Sequence, residues 1–380
     1  MRIGLMVTAL LTVGAAGCGT VSTTTPQPVS TTPMAVSPKR VDRIRTDIDK
    51  LVSDGTTGVI ATLTENGQTV TLTAGVADRA TKAPIPMAPP QQVRIGSVSK
   101  TFAAALILQL VSEGKLRLDE PVDTYLPGLL NGNGVDGRQI TVRQLLQHRS
   151  GLPELADDPE LDEVRAATEG RTFTPTQEIA IALRKPAQFA PGERFQYTNT
   201  NFIVAGMLIE KLTGRTYSDE LTGRITTPLQ LTDTYLPAPG ETGIRGPHPE
   251  GYTLVAGIPT DVTRSEPSVA WTAGGLISTG NDLNHFFLAL LSGTIVPDPQ
   301  LREMLTTLPR SSDNPIEYGL GIGGAQLSCG AHYFGHVGEV SGYLTITGAT
   351  REGRAATIAL TDSPERDPDI LTLLTHALCP

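Results

Sequence analysis

Strand-like segments at both ends of the folded chain, with helix signals between them, predict a mixed α/β fold interrupted by a mostly helical insertion. Near the start, residues 58–76 contain two alternating apolar runs. Near the end, four strand candidates lie between residues 318 and 360. The intervening stretch, 118–265, is loop-rich and punctuated by helix starts and stops. The expected organisation is one α/β domain from 39–117 and 266–380, with 118–265 inserted as a helical domain. With 380 residues, 39% apolar and 18% charged, the chain has ample material for such a core.

Residues 39–53 carry Val41, Ile44, Ile48 and Leu51 at helical spacing. The runs Gly58–Leu63 and Thr69–Val76 flank Glu65-Asn66-Gly67, and Asn-Gly in that place signals a β-hairpin. A short run, Gln92–Ile95, leads to Gly96-Ser97. From there the chain is apolar nearly all round between Phe102 and Val111, which predicts a helix buried on every side and ended by Gly114. Thr174-Pro175-Thr176-Gln177 is a capping-box start with Pro at N1. Residues 201–214 and 279–293 give two more helices, the second capped by Thr279. The late strand candidates are Tyr318–Ile322, His332–His336, Gly342–Gly348 and Arg354–Leu360. Asp367–Leu378 reads as a closing helix.

Residues 1–18 combine Arg2, a short apolar run and the ending Ala15-Ala16-Gly17-Cys18. The run is too short to span a membrane and matches a signal peptide. Its last four residues resemble a bacterial lipoprotein cleavage box, which makes Cys18 the expected lipidated N-terminus. Residues 19–38, rich in Ser, Thr and Pro, read as a tether off the membrane. In that oxidising setting the remaining cysteines, Cys329 and Cys379, are expected to pair and pin the closing helix. No metal or other cofactor is expected, because His332 and His336 lie on a strand without further ligands at zinc spacing. A net charge of −9 argues against nucleic acid as a partner.

Three motifs could carry chemistry. In Ser97-Val98-Ser99-Lys100, a lysine one helical turn from a serine can help remove its proton. About one such match is expected by chance in a chain of this length, and Ser112-Glu113-Gly114-Lys115 is a second, at a helix end where the lysine is not held. Tyr197-Thr198-Asn199 is the single Tyr-x-Asn. A tyrosine beside a cationic lysine can titrate low enough to act as a base, whereas the bland reading makes Asn199 a helix cap. His336-Val337-Gly338 sits on a strand, and Gly338 permits close approach of backbone to a ligand. No serine stands in Gly-x-Ser-x-Gly, and His-Glu-x-x-His and phosphate-binding glycine loops are absent from the sequence.

Taken together, the order and spacing of these motifs resemble the family of class C β-lactamases, Streptomyces-type D-alanyl-D-alanine carboxypeptidases and related esterases. The segments 140–152, 191–214, 226–236, 271–283, 318–324 and 335–343 are similar to family landmarks. The resemblance spans about residues 41–380 and implies an antiparallel sheet flanked by helices, with a helical insertion. It implies that Ser97 forms an acyl-enzyme, that Lys100 takes or relays its proton, and that Tyr197 acts as a phenolate base. Asn199 would orient substrate and Lys100, His336 would take the place of the third motif's lysine or histidine, and the N–H groups of Ser97 and Glu339 would form an oxyanion hole.

Val337 departs from the family, which usually carries a hydroxyl residue there to bind a substrate carboxylate. Glu339 would oppose an anionic substrate if it faced the cleft. The expected function is an envelope serine hydrolase acting on a D-Ala-D-Ala-type peptide of peptidoglycan origin, a β-lactam or a small ester. The competing reading is a lipoprotein that binds penicillin or peptidoglycan without turnover.

Overall fold

The computed structural model describes residues 36–363 and 368–380. The leader, Cys18 and residues 19–35 of the expected tether lie outside the described residues. Its last three residues do not behave as a tether: Val36 is buried against the sheet, the Ser37 N–H bonds the Glu65 carboxylate, and Pro38 starts a helix. Among the described residues no helix is long and apolar enough to cross a membrane.

The chain opens with α1 (Pro38–Ser53), then β1 (Gly58–Glu65) and β2 (Gln68–Gly75), whose turn places Asn66 at φ 52° and Gly67 at φ 73°. Both central residues having positive φ makes the tight turn that Asn-Gly favours. After β3 (Val93–Arg94) a single 3₁₀ turn, Gly96–Val98, leads into α2 (Ser99–Ser112). The middle of the chain holds β4 (Asn131–Gly132), β5 (Val135–Asp136), α3 (Val142–Leu146), α4 (Glu163–Glu169) and α5 (Pro175–Ala182). It continues through α6 (Thr200–Thr213), α7 (Tyr217–Leu221), β6 (Tyr252–Val255) and β7 (Ile258–Asp261). Then come α8 (Pro267–Gly274), β8 (Ile277–Ser278), α9 (Gly280–Leu291) and α10 (Asp298–Leu305). The last part is β9 (Glu317–Tyr318), β10 (Gly323–Gln326), β11 (His332–Val340), β12 (Tyr343–Thr350), β13 (Arg354–Leu360) and α11 (Ile370–Leu378).

Seven strands form one antiparallel sheet in the order β2-β1-β13-β12-β11-β10-β9. The first hairpin therefore closes against the last strand of the chain, with Val59 opposite Leu360. Both faces are covered. Val59, Ala61, Leu63, Ile346 and Ile358 meet Ile44 and Ile48 of α1 and Leu374 and Leu378 of α11. On the other face, α9 lies against the sheet and α2 runs through the larger core, where Phe102 stacks on Phe286. Cys329 and Cys379 are bonded, S–S 1.97 Å, which ties the end of α11 to the loop before β11.

Several boundaries differ from the sequence reading, each for a local reason. Tyr318–Ile322 is not one strand: the chain turns at Gly321 (φ 70°), leaving β9 and β10 as short pieces. β11 runs on to Val340 because β12 pairs along its whole length. The closing helix begins at Ile370, where the Asp369 side chain caps Thr372 N–H; Asp367 lies outside the described residues. The helical middle shares one continuous apolar core with α2 and α9.

Polar groups lock α9 to the sheet. Asn284 is fully buried; its amide donates to Thr62 O and Thr64 Oγ1, each at 3.0 Å, and accepts from Thr357 Oγ1 at 2.8 Å. Asn284→Ala would strand those groups away from water. The expected loss is about 2–3 kcal/mol of unfolding free energy, read as a lower urea midpoint at unchanged slope.

Candidate active site

Ser97 lies in the 3₁₀ turn at the mouth of α2, and Lys100 one turn later is fully buried. Its Nζ stands 2.9 Å from Ser97 Oγ, 2.7 Å from Asn199 Oδ1 and 2.7 Å from Ala273 O. The last two are carbonyl oxygens and can only accept. An uncharged amine thus gives its two protons to Asn199 and Ala273 and keeps its lone pair for the Ser97 hydroxyl. Burial pushes the Lys100 amine down to about 7, while the Glu154 carboxylate pulls weakly the other way. Near neutral pH this group can accept the serine proton.

Tyr197 reaches the same place from the loop before α6. The Lys100 Nζ lies 4.9 Å from its ring centroid. The phenol is buried, its pKa is pushed far up by that burial, and the nearby Ser97 hydroxyl offsets this only in part. Tyr197 Oη faces Ser97 without completing a hydrogen bond of good geometry. The resemblance implied a phenolate; burial penalises charge on both groups, so the shifts favour a free amine on Lys100 and a neutral phenol on Tyr197. Asn199 is also not a side-chain cap of α6; its amide oxygen holds Lys100.

His336 projects from β11 toward Tyr197, with ring centroids 6.5 Å apart. Its Nδ1 donates to Val337 O at 2.6 Å, leaving Nε2 to accept from the Tyr318 hydroxyl at 2.8 Å. Burial first, then Lys100, holds the imidazole down to about 3, so it is neutral. It cannot serve as the cation of the third motif. His336 pairs with Thr347, on the sheet face that meets α9. By the period of two, Val337 and Glu339 belong to the opposite face, where Val337 packs against the core under α1 and α11. Both side chains therefore leave β11 on the face away from His336. Sequence spacing did not reveal the pleat.

Gly338 is needed for a different approach than the expected one. A Cβ there would come within 2.0 Å of Ile95 O and 2.8 Å of Ser97 N. A Cβ on Gly96, at φ 50°, would come within 2.7 Å of Glu339 N. The two glycines let β11 touch the nucleophile turn directly. With Val340 and Tyr343 closing the β11–β12 hairpin, the alternation of antiparallel pairs turns the Glu339 N–H away from β12 and toward that turn. The backbone of Glu339 is thereby brought against the turn that carries Ser97.

Four further groups went unread in the sequence. His148 (φ 55°) stacks on Tyr197 at 4.1 Å, and its Nδ1 accepts from Thr198 N and Asn201 Nδ2. The landmark segment 140–152 contains it, but only the fold shows what it touches. Arg310 lies over the Phe195 ring at 5.2 Å, and its charge reaches Tyr197 and His336. Glu154 accepts the Asn199 N–H at 2.8 Å. The Ala273 carbonyl is a backbone group, presented just after Trp271 with its non-helical φ of 32°.

The Beta-lactamase family model matches residues 44–377. Penicillin-binding protein 4 of Amycolatopsis lactamdurans is 31% identical over 213 residues, covering 53% of this chain and 51% of that protein. The chain spans about half the length of the curated relatives it matches. Among solved structures, a D-stereospecific amidohydrolase from Streptomyces sp. superposes with a TM-score of 0.81 at 34% identity, covering 88% of this chain and 98% of that one. A D-amino acid amidase from Ochrobactrum anthropi gives 0.76 at 28% identity, covering 86% and 93%.

The titration of Lys100 sets the expected pH profile. Its folded-state pKa is depressed, so the free base is lost as pH falls through about 7. Below that value kcat/KM should drop tenfold per pH unit, and it should stay level above it until well past the usual tyrosine range. Lys100→Arg, which cannot deprotonate, should lower kcat by about 10²–10⁴. A profile with no limb near neutrality would contradict the assignment of Lys100 as base.

Proposed function

The chain belongs to the beta-lactamase family, and on that premise we propose that it is a serine hydrolase cleaving amide bonds of D-amino acid derivatives through an acyl-enzyme on Ser97. The observation that carries the reading is the buried, unpaired-base geometry of Lys100, 2.9 Å from Ser97 Oγ. As Ser97 Oγ attacks the carbonyl carbon, its proton passes to Lys100 Nζ. The carbonyl oxygen takes up negative charge between the Ser97 and Glu339 N–H groups. The proton then reaches the leaving nitrogen through the Tyr197 hydroxyl, the amine departs, and Ser97 is left as an ester. Water attacks that ester with Lys100 again as base, returning the enzyme.

Amides are preferred over β-lactams on two grounds. The solved structures resembling nearly the full chain include D-specific amide hydrolases. His336 is a neutral imidazole, so the third motif offers no cation to a penicillin carboxylate. The N-terminal sequence supports an envelope location with Cys18 as lipid anchor, and Cys18→Ser should release the protein from membranes into the soluble fraction.

Ser97→Ala should abolish both hydrolysis of a D-amino acid p-nitroanilide and labelling by a fluorescent penicillin. Tyr197→Phe should lower kcat by about 10²–10⁴ while KM moves little. If the wild type turns over no amide, ester or β-lactam and acquires no label on Ser97, the non-catalytic binding reading replaces this one.

A further inference from the structure

The β6–β7 hairpin ends in bare apolar surface. Leu254 is 43%, Val255 53% and Ile258 67% exposed; Met87 and Leu308 are the other exposed large apolar side chains among the described residues. Leu254 pairs with Pro259 and Val255 with Ile258, around a turn with Ala256 at φ 50° and Gly257 at φ 78°. All residues from Leu254 to Pro259 are exposed and none is charged. Paired residues share a face, and successive pairs alternate. The tip is therefore apolar on both faces, with Val255 and Ile258 on one and Leu254 and Pro259 on the other. A protein seated on the hairpin would cover one face. A medium that surrounds the tip covers both, and for an uncharged apolar tip that medium is lipid.

Charge and reach both permit this. The acidic residue of the hairpin, Asp261, sits at its base opposite Tyr252. The strand rises about 10 Å from that pair to Val255 and Ile258. That is about the Debye length at physiological salt, so the acid is screened from a charged bilayer surface. The sequence reads Cys18 as a lipid anchor, and residues 19–35 can span at most about 60 Å to Val36, where the described fold begins. α1 starts at Pro38 and is about 24 Å long. Its far end, at Leu51 and Asp54, lines one cleft with Leu254 and Pro259. The tip thus stands little more than a helix length from Val36, well inside that span.

We propose that the β6–β7 tip, residues 254–259, dips into the bilayer that holds the Cys18 lipid, giving the folded domain a second membrane contact. The inference goes beyond the hydrolase reading and rests on the lipid-anchor reading of Cys18. The anchor makes insertion of the tip an intramolecular step, so a small apolar tip suffices without a basic patch. The second contact fixes which side of the domain faces the membrane.

The test uses the full chain, purified from membranes and reconstituted in vesicles of phosphatidylethanolamine and phosphatidylglycerol. Val255→Cys carries an environment-sensitive fluorophore; Cys329 and Cys379 are bonded to each other and do not take the label. The same label at Ser312→Cys, an exposed position outside the hairpin, is the comparison. Nitroxide-bearing lipid should quench the label at 255 and spare the one at 312. Adding Leu254→Ser and Ile258→Ser should lower the inserted fraction by about tenfold. The urea midpoint should stay unchanged, because both side chains are exposed. A label at 255 that stays in water while the chain floats with the vesicles overturns the proposal and leaves the anchor standing. Equal quenching at 255 and 312 overturns it as well. Energy transfer between labelled copies in detergent, abolished by the serine changes, replaces lipid with a second copy as the occupant. A chain that does not float and carries no lipid on Cys18 sinks the anchor reading and this proposal together.

Discussion

The arrangement depends on one buried lysine. Taking Lys100 out of water moves its pKa from 10.5 to about 7, which corresponds to about 5 kcal/mol disfavouring the cation. The fold meets that penalty with two carbonyl oxygens aimed at Nζ, one from the loop before α6 and one from α8. Both belong to segments far from Lys100 in sequence, so the catalytic amine is held only once α2, α6 and α8 are packed. The burial that makes α2 apolar on every side is the same burial that lowers the Lys100 pKa.

The second constraint is close approach. The Ser97 turn and β11 touch backbone to backbone, and Gly96 and Gly338 are the residues whose missing Cβ atoms allow it. β11 can reach the turn because β10 pairs only with its first half, up to Gly335. The remaining edge, 336–339, is left to face Ser97. β11 thus serves as a sheet member along one edge and as a wall of the site along the other.

Around this centre the polar groups are arranged to keep charge low. His148 and His336 are both neutral: one is confined to accepting at Nδ1 beneath Tyr197, and the other is tied to Tyr318. Imidazolium at either place would repel protonated Lys100 and draw Tyr197 toward ionisation. With both neutral, Glu154 and Arg310 are the charged side chains whose fields reach the reacting groups.

The sequence by itself determined the elements and the chemistry. Apolar periodicity, Asn66-Gly67, Thr174 with Gln177, and Thr279 located helices, a hairpin and caps, because these signals act over a few residues. Ser97, Lys100, Tyr197 and Asn199 were legible through their spacing and their resemblance to a family, and they do converge on one amine. Three things were decided only by the tertiary structure. The shifts that favour a neutral phenol at Tyr197 and a neutral ring at His336 come from burial, which is a property of packing. The faces of Val337 and Glu339 came from strand register, which a motif does not contain. Glu154, Arg310, His148 and the Ala273 carbonyl became part of the site through contacts that cross from 45 to 173 residues of chain, a distance over which local sequence carries no signal.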